Sequence, residues 1–269
     1  LTEILNAGIL ALVQGLTEFL PVSSSGHLVI ASSLLGLDNE DILLEIFLHF
    51  GTFLSVLVIF RQDILDILSA FFRHIFRFRA WGRAFSEDGN FRLSIYLIVA
   101  ILPAGIAGLL FKDFFESLFN SLAATGTALI VTGLLLLGTY WAPKSKHEIT
   151  LGRGLLIGLA QAFAIIPGIS RSGSTISTAL YLGIAKEKAA RFSFIMALPL
   201  VFGATLLEGL TAEWGTVDIL PILLGTALAF VSGYAAIKWL LALLVRGKFH
   251  HFAWYCLLLG TVTLGYTLL

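Results

Sequence analysis

Six stretches of this chain, near 46–60, 92–111, 119–141, 192–207, 219–240 and 252–269, are long apolar runs with scarcely a charge. Runs of this kind decide what the chain can become. About 20 apolar residues cross the ~30 Å hydrocarbon core of a bilayer as one helix, with every backbone amide bonded inside the segment. The runs are continuous rather than alternating, which argues against a transmembrane barrel. Only 13% of the residues are charged and 58% are hydrophobic, whereas a soluble domain charges roughly a quarter of its residues. The expected fold is all-α: one polytopic integral membrane domain over residues 1–269. The first run is short, and its helix is expected to begin nearer Asp41.

Net charge is zero, with 17 basic and 17 acidic side chains, so the total says nothing about partners. Their placement says more. Arg61, Arg73, Arg77, Arg79, Arg83 and Arg92 gather in or beside the 61–91 linker, Lys144, Lys146 and Arg153 in a second loop, Lys186, Lys188 and Arg191 in a third, Arg246 and Lys248 in a fourth. Basic loops stay on the cytoplasmic side. Between them lie acidic loops, with Asp38, Glu40, Asp41 and Glu45, with Asp113 and Glu116, and with Glu208, Glu213 and Asp218. The alternation puts 61–91 and 142–150 in the cytoplasm and 37–45 outside. The arginines of 73–83 read as this topology signal, and no nucleic-acid partner is expected.

Residues 1–36 and 151–184 break the pattern. Each is an apolar region interrupted by proline, glycine and a serine cluster, Pro21 to Gly26 in one and Pro167 to Gly173 in the other. The expectation is two re-entrant helix hairpins beside the six transmembrane helices. Non-helical backbone at membrane depth is tolerable only when packed in protein or facing a wet cavity. The two breaks also resemble one another: Gly15-Leu16-Thr17-Glu18, Pro21 and Ser23 to Gly26 match Gly158-Leu159-Ala160-Gln161, Pro167 and Ser170 to Gly173. Three candidate spans follow each copy. That arrangement predicts inverted-topology repeats of approximately 1–141 and 149–269, with a site where the discontinuous helices meet.

Ionisable groups in such segments face a cavity or each other. Glu18, His27 and Arg171 are the three singled out. Gln14 lies one helical turn before Glu18, on the same face. Gly26 lets the backbone turn or approach a ligand closely, and unpaired amides at the start of the next helix favour an anion. Ser23, Ser24 and Ser25 add hydroxyls. Ser170, Arg171, Ser172, Gly173, Ser174 and Thr175 repeat the design with a planar cation suited to phosphate oxygens. Gln161 is a supporting residue in the second copy, as Gln14 is in the first. The whole makes a phosphoryl-transfer site.

Other features read as structural. No GxxxxGK[ST] phosphate loop exists, and nothing has the spacing of a structural metal site. Gly51, Gly126, Gly133, Gly225, Gly233 and the glycines of 105–108 read as close helix packing. Pro103 and Pro199 read as kinks, Cys256 as a small buried residue, and His49, His250 and His251 as interfacial.

Gln14 through His27, QGLTEFLPVSSSGH, resembles the first signature of the bacterial undecaprenyl-diphosphate phosphatase family, also called the bacitracin-resistance protein family. Pro167 through Gly173, PGISRSG, resembles its second. The resemblance covers essentially the whole chain. It implies an inner-membrane phosphoric anhydride hydrolase that converts undecaprenyl diphosphate to undecaprenyl phosphate and inorganic phosphate on the outer side, recycling the carrier of cell-wall precursors. It further implies a divalent cation, Mg²⁺ or Ca²⁺, and a link to bacitracin, which sequesters the diphosphate. The polyprenyl diphosphate lipid, set in membrane lipid, is the expected partner, and a homodimer is compatible with it.

On the family's pattern Glu18, Ser24, His27 and Arg171 are the catalytic positions, with Glu18 the one metal ligand named. Gln14 stands where some members have a second glutamate, which weakens any two-carboxylate metal site. Serine, histidine or water as nucleophile stays open at this point, with Ser24 assisted by His27 preferred. A polyprenyl-phosphate flippase or transporter is the rival reading, because inverted repeats with broken helices are common in transporters.

Overall fold

The computed structural model describes residues 2–37, 42–143, 147–211 and 219–267. Among these the chain is α-helical, with one isolated bridge between His147 and Ile184 in place of any sheet. The first half opens with α1 (Thr2–Phe19) and α2 (Ser24–Leu35) and continues through α3 (Ile42–Ile59) and α4 (Arg61–Ile75). The short α5 (Trp81–Glu87) leads into α6 (Gly89–Leu110), α7 (Lys112–Phe119) and α8 (Leu122–Gly138). The second half consists of α9 (Leu151–Phe163), α10 (Arg171–Tyr181), α11 (Lys186–Thr211), α12 (Ile219–Val245) and α13 (Phe252–Tyr266).

Among the described residues four helices are long and apolar enough to cross a membrane: α6, α8 with its extension to Trp141, α11 over Lys186–Leu207, and α12. The protein is a multi-pass membrane protein. They coincide with four of the six expected spans. The run near 46–60 falls in α3, which bends by 81° into α4 and makes a fifth crossing when the pair is taken as one broken span. The run near 252–269 falls in α13, whose 15 residues reach only about 23 Å. The four acidic or basic residues Asp38, Glu40, Asp41 and Lys144, together with Lys146, Glu213 and Asp218, lie outside the described residues.

The bend at Phe60 follows from the sequence. The apolar run ends at Arg61-Gln62-Asp63, and α4 then presents Leu65, Leu68 and Phe72 outward while burying Ile67 and Ala70. A helix apolar on its outer face beside basic groups suits the membrane interface. Asp63 pairs with Arg191, tying α4 to α11.

Packing brings the halves together. α1 lies against α12, α9 against α6, and α8 against α13, while α3 packs between α11 and α12. A Cβ at Gly51, Gly126, Gly133, Gly225 or Gly233 would collide with a neighbouring helix, the close-packing role expected of them. Gly105 and Gly108 differ, since a Cβ there meets only the tips of Leu200 and Ile165 at 4.0 and 3.9 Å. Pro103 and Pro199 lie inside α6 and α11. Cys256 is fully buried, with Sγ 3.5 Å from the Pro21 carbonyl oxygen.

Asp88 starts α6 by accepting from the Asn90 and Phe91 amides at 2.9 and 3.1 Å, and His74 Nε2 lies 3.2 Å away. Burial raises the Asp88 pKa, but the two amides and His74 outweigh burial and hold it below the usual carboxylate range. Such a cap contributes about 1 kcal/mol. The Asp88→Ala protein is expected to melt earlier in detergent by that amount. Because the folded-state pKa is depressed, the advantage is complete above the unfolded carboxyl's pKa, about 4. It should fade as pH falls through the lower folded value, which melting curves of both proteins at several pH values would show.

Candidate active site

The site is made where two helix hairpins break. α1 stops at Phe19 and the chain turns through Pro21. Ser23 then starts α2 from φ 69°, the one non-glycine residue with positive φ among those described. A serine held there is strained, and such strain persists only where the surroundings over-determine it. Its Oγ accepts from the Gly26 amide at 3.2 Å. In the second hairpin α9 stops at Phe163, Gly168 takes φ 93°, and Ser170 Oγ accepts from the Gly173 amide at 3.0 Å.

The two breaks cross in contact. A Cβ on Gly26 would sit 3.0 Å from the Gly168 Cα, so backbone meets backbone there. A Cβ on Gly173 would meet Ser170 and, at 3.4 Å, Pro21. The exposed backbone groups of each break find partners in protein: Ser172 Oγ donates to the Leu20 carbonyl at 3.1 Å, Thr132 Oγ1 donates to the Gly168 carbonyl at 2.9 Å, and the Ser170 amide donates to Thr132 Oγ1 at 3.0 Å. This is what irregular backbone inside an apolar body requires.

Between the breaks lies a polar cavity of about 150 Å³, the space of roughly five waters. Ser23, Ser24, Ser25, Ser170, Arg171, Glu18 and His49 line it. The first turns of α2 and α10 both border it, so two positive helix-dipole ends serve one volume. Glu18 is its centre. Arg171 Nη2 donates to Glu18 Oε1 at 2.5 Å, while Ser24 Oγ and Gln14 Nε2 donate to Oε2 at 2.6 and 3.1 Å. Arg171 Nη1 is buried without a partner.

A second cavity of about 520 Å³ adjoins the first and shares Ser25, His49, Phe119, Ala164, Ile165 and Arg171 with it. Its walls are mostly apolar, among them Leu28, Val29, Ile46, Leu200 and Val201, with Gln161 set into them. A polar floor thus meets an apolar corridor.

The expected residues separate into groups. Glu18, Ser24 and Arg171 are in mutual contact, with Ser23, Ser25 and Ser170 beside them in the floor. Gly26 and Gly173 form the crossing. Thr175 lies deeper in α10, where its hydroxyl bonds the Arg171 carbonyl at 2.7 Å and Ser193 at 2.6 Å, and Ser174 is buried with it. His27 borders neither cavity: Nδ1 lies 2.7 Å from the Ser23 carbonyl and Nε2 2.6 Å from the Tyr255 hydroxyl. The group beside Ser24 is therefore Glu18. His27 holds the strained Ser23 turn against α13.

His49 is the residue the sequence reading passed over as interfacial. It borders both cavities, with Nε2 3.9 Å from Glu18 Oε2 and Nδ1 2.9 Å from the Glu45 carbonyl oxygen. The signal was present, since an ionisable group in an apolar run was the criterion that picked out Glu18.

The residues do not make a metal cage. No three His, Cys, Asp or Glu side chains gather suitably among the described residues, and both Glu18 oxygens are already engaged. A cation held by Glu18 would also sit against the Arg171 charge.

Helices that cross a membrane, two crossing breaks and a buried amide-rich floor under an apolar corridor define a membrane protein for an amphiphile with an anionic head. Comparison of the sequence agrees and goes further. The chain belongs to the family described as Bacitracin resistance protein BacA, whose model matches residues 7–262. It is 43% identical over 259 residues to the undecaprenyl-diphosphatase of Salinibacter ruber, covering 95% of this chain and 96% of that one. It is 44% identical to that of Halothermothrix orenii, with 96% of each chain covered, and 38% identical to that of Korarchaeum cryptofilum, with 98% and 99% covered.

The crossing gives a direct test. Gly26→Ala places a methyl against the Gly168 backbone, which has no side chain to swing away. Overpacking of this kind costs about 1–3 kcal/mol. The expected result is a lower melting temperature together with a loss of activity larger than the stability change explains. A variant with unchanged melting and turnover would show that the breaks tolerate separation.

Proposed function

We propose that this chain hydrolyses undecaprenyl diphosphate to undecaprenyl phosphate and inorganic phosphate, returning the lipid carrier of cell-wall precursors to use. Family membership and the curated relatives' common activity support it, and so does a floor built for phosphate beneath a corridor suited to an isoprenoid chain. The observation that carries the mechanism is the 2.6 Å contact between Ser24 Oγ and Glu18 Oε2.

In the proposed reaction the terminal phosphate lies between Ser24 and Arg171. Ser24 Oγ attacks phosphorus and gives its proton to Glu18. The bond from phosphorus to the bridging oxygen breaks, and its electron pair leaves with the lipid phosphate. Phosphoryl transfer demands little of the base and much of charge stabilisation. Arg171 and the first-turn amides of α2 and α10 supply that stabilisation. Water then attacks the phosphoserine, the phosphorus–Oγ bond breaks as Glu18 returns its proton to Ser24 Oγ, and both of the water's protons leave with inorganic phosphate. His27 is assigned the support of the Ser23 turn. A divalent cation, Mg²⁺ or Ca²⁺, would serve to neutralise diphosphate charge; the described residues form no cage for it, and no step above passes through it.

The finer architecture belongs to the same proposal. Helices α2, α9 and α10 have 12, 13 and 11 residues. They reach about 18, 20 and 17 Å, well short of a ~30 Å core. Their lengths support re-entrant hairpins meeting inside the membrane. The pairing of α1 with α12 and of α9 with α6 supports inverted repeats of approximately 1–141 and 149–269. Six crossings, counting α3 and α13, then set the basic 61–91 and 142–150 segments in the cytoplasm and open the site to the outer side of the inner membrane. Single cysteines at Arg79 and Phe114 should label with an impermeant maleimide from opposite sides of sealed vesicles. Labelling of both from one side would overturn the orientation.

Rapid quench of the detergent-purified protein with diphosphate labelled in the terminal phosphate tests the chemistry. The expected product is an acid-stable, base-labile phosphoenzyme at Ser24, absent from Ser24→Ala and retained in His27→Ala. Acid-labile label on His27 would transfer the nucleophile's role there. Phosphate release in detergent without a membrane to cross would also set hydrolysis apart from lipid translocation.

A further inference from the structure

The floor of the site accounts for one phosphate, but the substrate carries two. Two polar groups near the floor have no use in the reaction described. Gln161 is 3% exposed, lines the apolar corridor, and leaves both Nε2 and Oε1 without a partner. Arg171 Nη1 is likewise buried and unpartnered, while Nη2 of the same guanidinium is spent on Glu18. Leaving such groups unsatisfied in an apolar wall costs far more than a typical hydrogen bond contributes, so a partner is expected to arrive with a ligand. His49 stands at the same junction. The Glu45 carbonyl accepts from Nδ1, which orients the Nε2 edge towards Glu18 and the cavities.

We infer that Gln161, Arg171 Nη1 and His49 form a second phosphate subsite, which holds the lipid-linked phosphate where the floor opens into the corridor. This rests on the hydrolase reading above. The placement has the right sense: Arg171 and His49 border both cavities, whereas Gln161 borders only the apolar one. A phosphate at the junction receives N–H bonds from Gln161 Nε2 and Arg171 Nη1 and lies against the Nε2 edge of His49. Its prenyl chain then lies along Leu28, Val29, Leu200 and Val201. Arg171 thus holds the lipid-linked phosphate through Nη1 while Nη2 stays on Glu18, a forked geometry that a lysine cannot supply. The subsite stabilises charge on the departing oxygen as the phosphorus–oxygen bond breaks, and it would favour a diphosphate lipid over a monophosphate.

Such a subsite acts only while the lipid phosphate is present, so it serves the first half of the reaction and not the second. Single-turnover quench of the full-length protein in detergent, with farnesyl diphosphate labelled in the terminal phosphate, separates the halves. Gln161→Ala and His49→Ala are each expected to slow phosphoenzyme formation about tenfold or more, as for a lost hydrogen bond to a charged group. Gln161→Glu, which sets a like charge against the phosphate, should slow it further. Hydrolysis of the phosphoenzyme once formed should keep its wild-type rate in all three. Wild-type formation rates, or equal slowing of both halves, would overturn the subsite. A wild-type protein that neither forms a phosphoenzyme nor releases phosphate would instead overturn the hydrolase reading itself. Because His49 is partly exposed at a cavity edge, its alanine variant decides the matter even where the buried Gln161 variants fail to fold.

Discussion

The ion pair between Glu18 and Arg171 is the contact on which the site depends. It joins the end of α1 to the start of α10 across 153 residues of sequence, and the two side chains are only 9% and 18% exposed. Charges in such surroundings are expensive to desolvate, and the pair is tolerable only because its geometry is close and further donors complete it. Gln14 and Ser24 supply two of these on the carboxylate. Removal of either charge would strand the other, at a cost of about 3–5 kcal/mol. The pair therefore holds the two breaks in one register and at the same time places the serine hydroxyl against a proton acceptor.

A pair of charges alone would not keep two lengths of unpaired backbone inside an apolar body. The second requirement is that each break be enclosed by protein, and α8 and α13 meet it. Thr132 of α8 serves both the Gly168 carbonyl and the Ser170 amide. Tyr255 of α13 meets His27, whose ring in turn meets the Ser23 carbonyl. The strained φ of Ser23 is held by this enclosure. Glycine at 26 and 168 lets the breaks approach until backbone touches backbone, which brings the two helix starts onto one small volume.

The two breaks have like frameworks and unlike chemistry. Both present a serine cap, Ser23 or Ser170, whose Oγ takes the amide three residues on. Yet Glu18 in one corresponds to Gln161 in the other, and Ser24 to Arg171. The carboxylate and hydroxyl fall on one side and the guanidinium and amide on the other. In the proposed reaction a phosphate between them would meet the serine hydroxyl and the carboxylate from one hairpin and the guanidinium from the other. Neither hairpin carries a complete set.

The sequence by itself determined the helical membrane class, four of the spans and the two breaks, and it picked out Glu18, His27 and Arg171 as embedded ionisable groups, because each has a local cause. Apolar runs of sufficient length must cross or be buried, proline and glycine must interrupt a helix, and a charge in an apolar segment must have a reason to be there. Gln14 and Glu18 were legible as a pair from their spacing alone. What the tertiary structure decided are the contacts between residues far apart in the chain. Nothing near His27 indicates that its ring meets Tyr255, 228 residues away, instead of the serine three positions before it. Nothing near His49 shows that the crossing of α3 beside both hairpins brings it within 3.9 Å of Glu18, or that Gln161 is left with no partner in a corridor wall. Local pattern fixes which elements form; which way a side chain faces once they pack depends on the crossing of all of them.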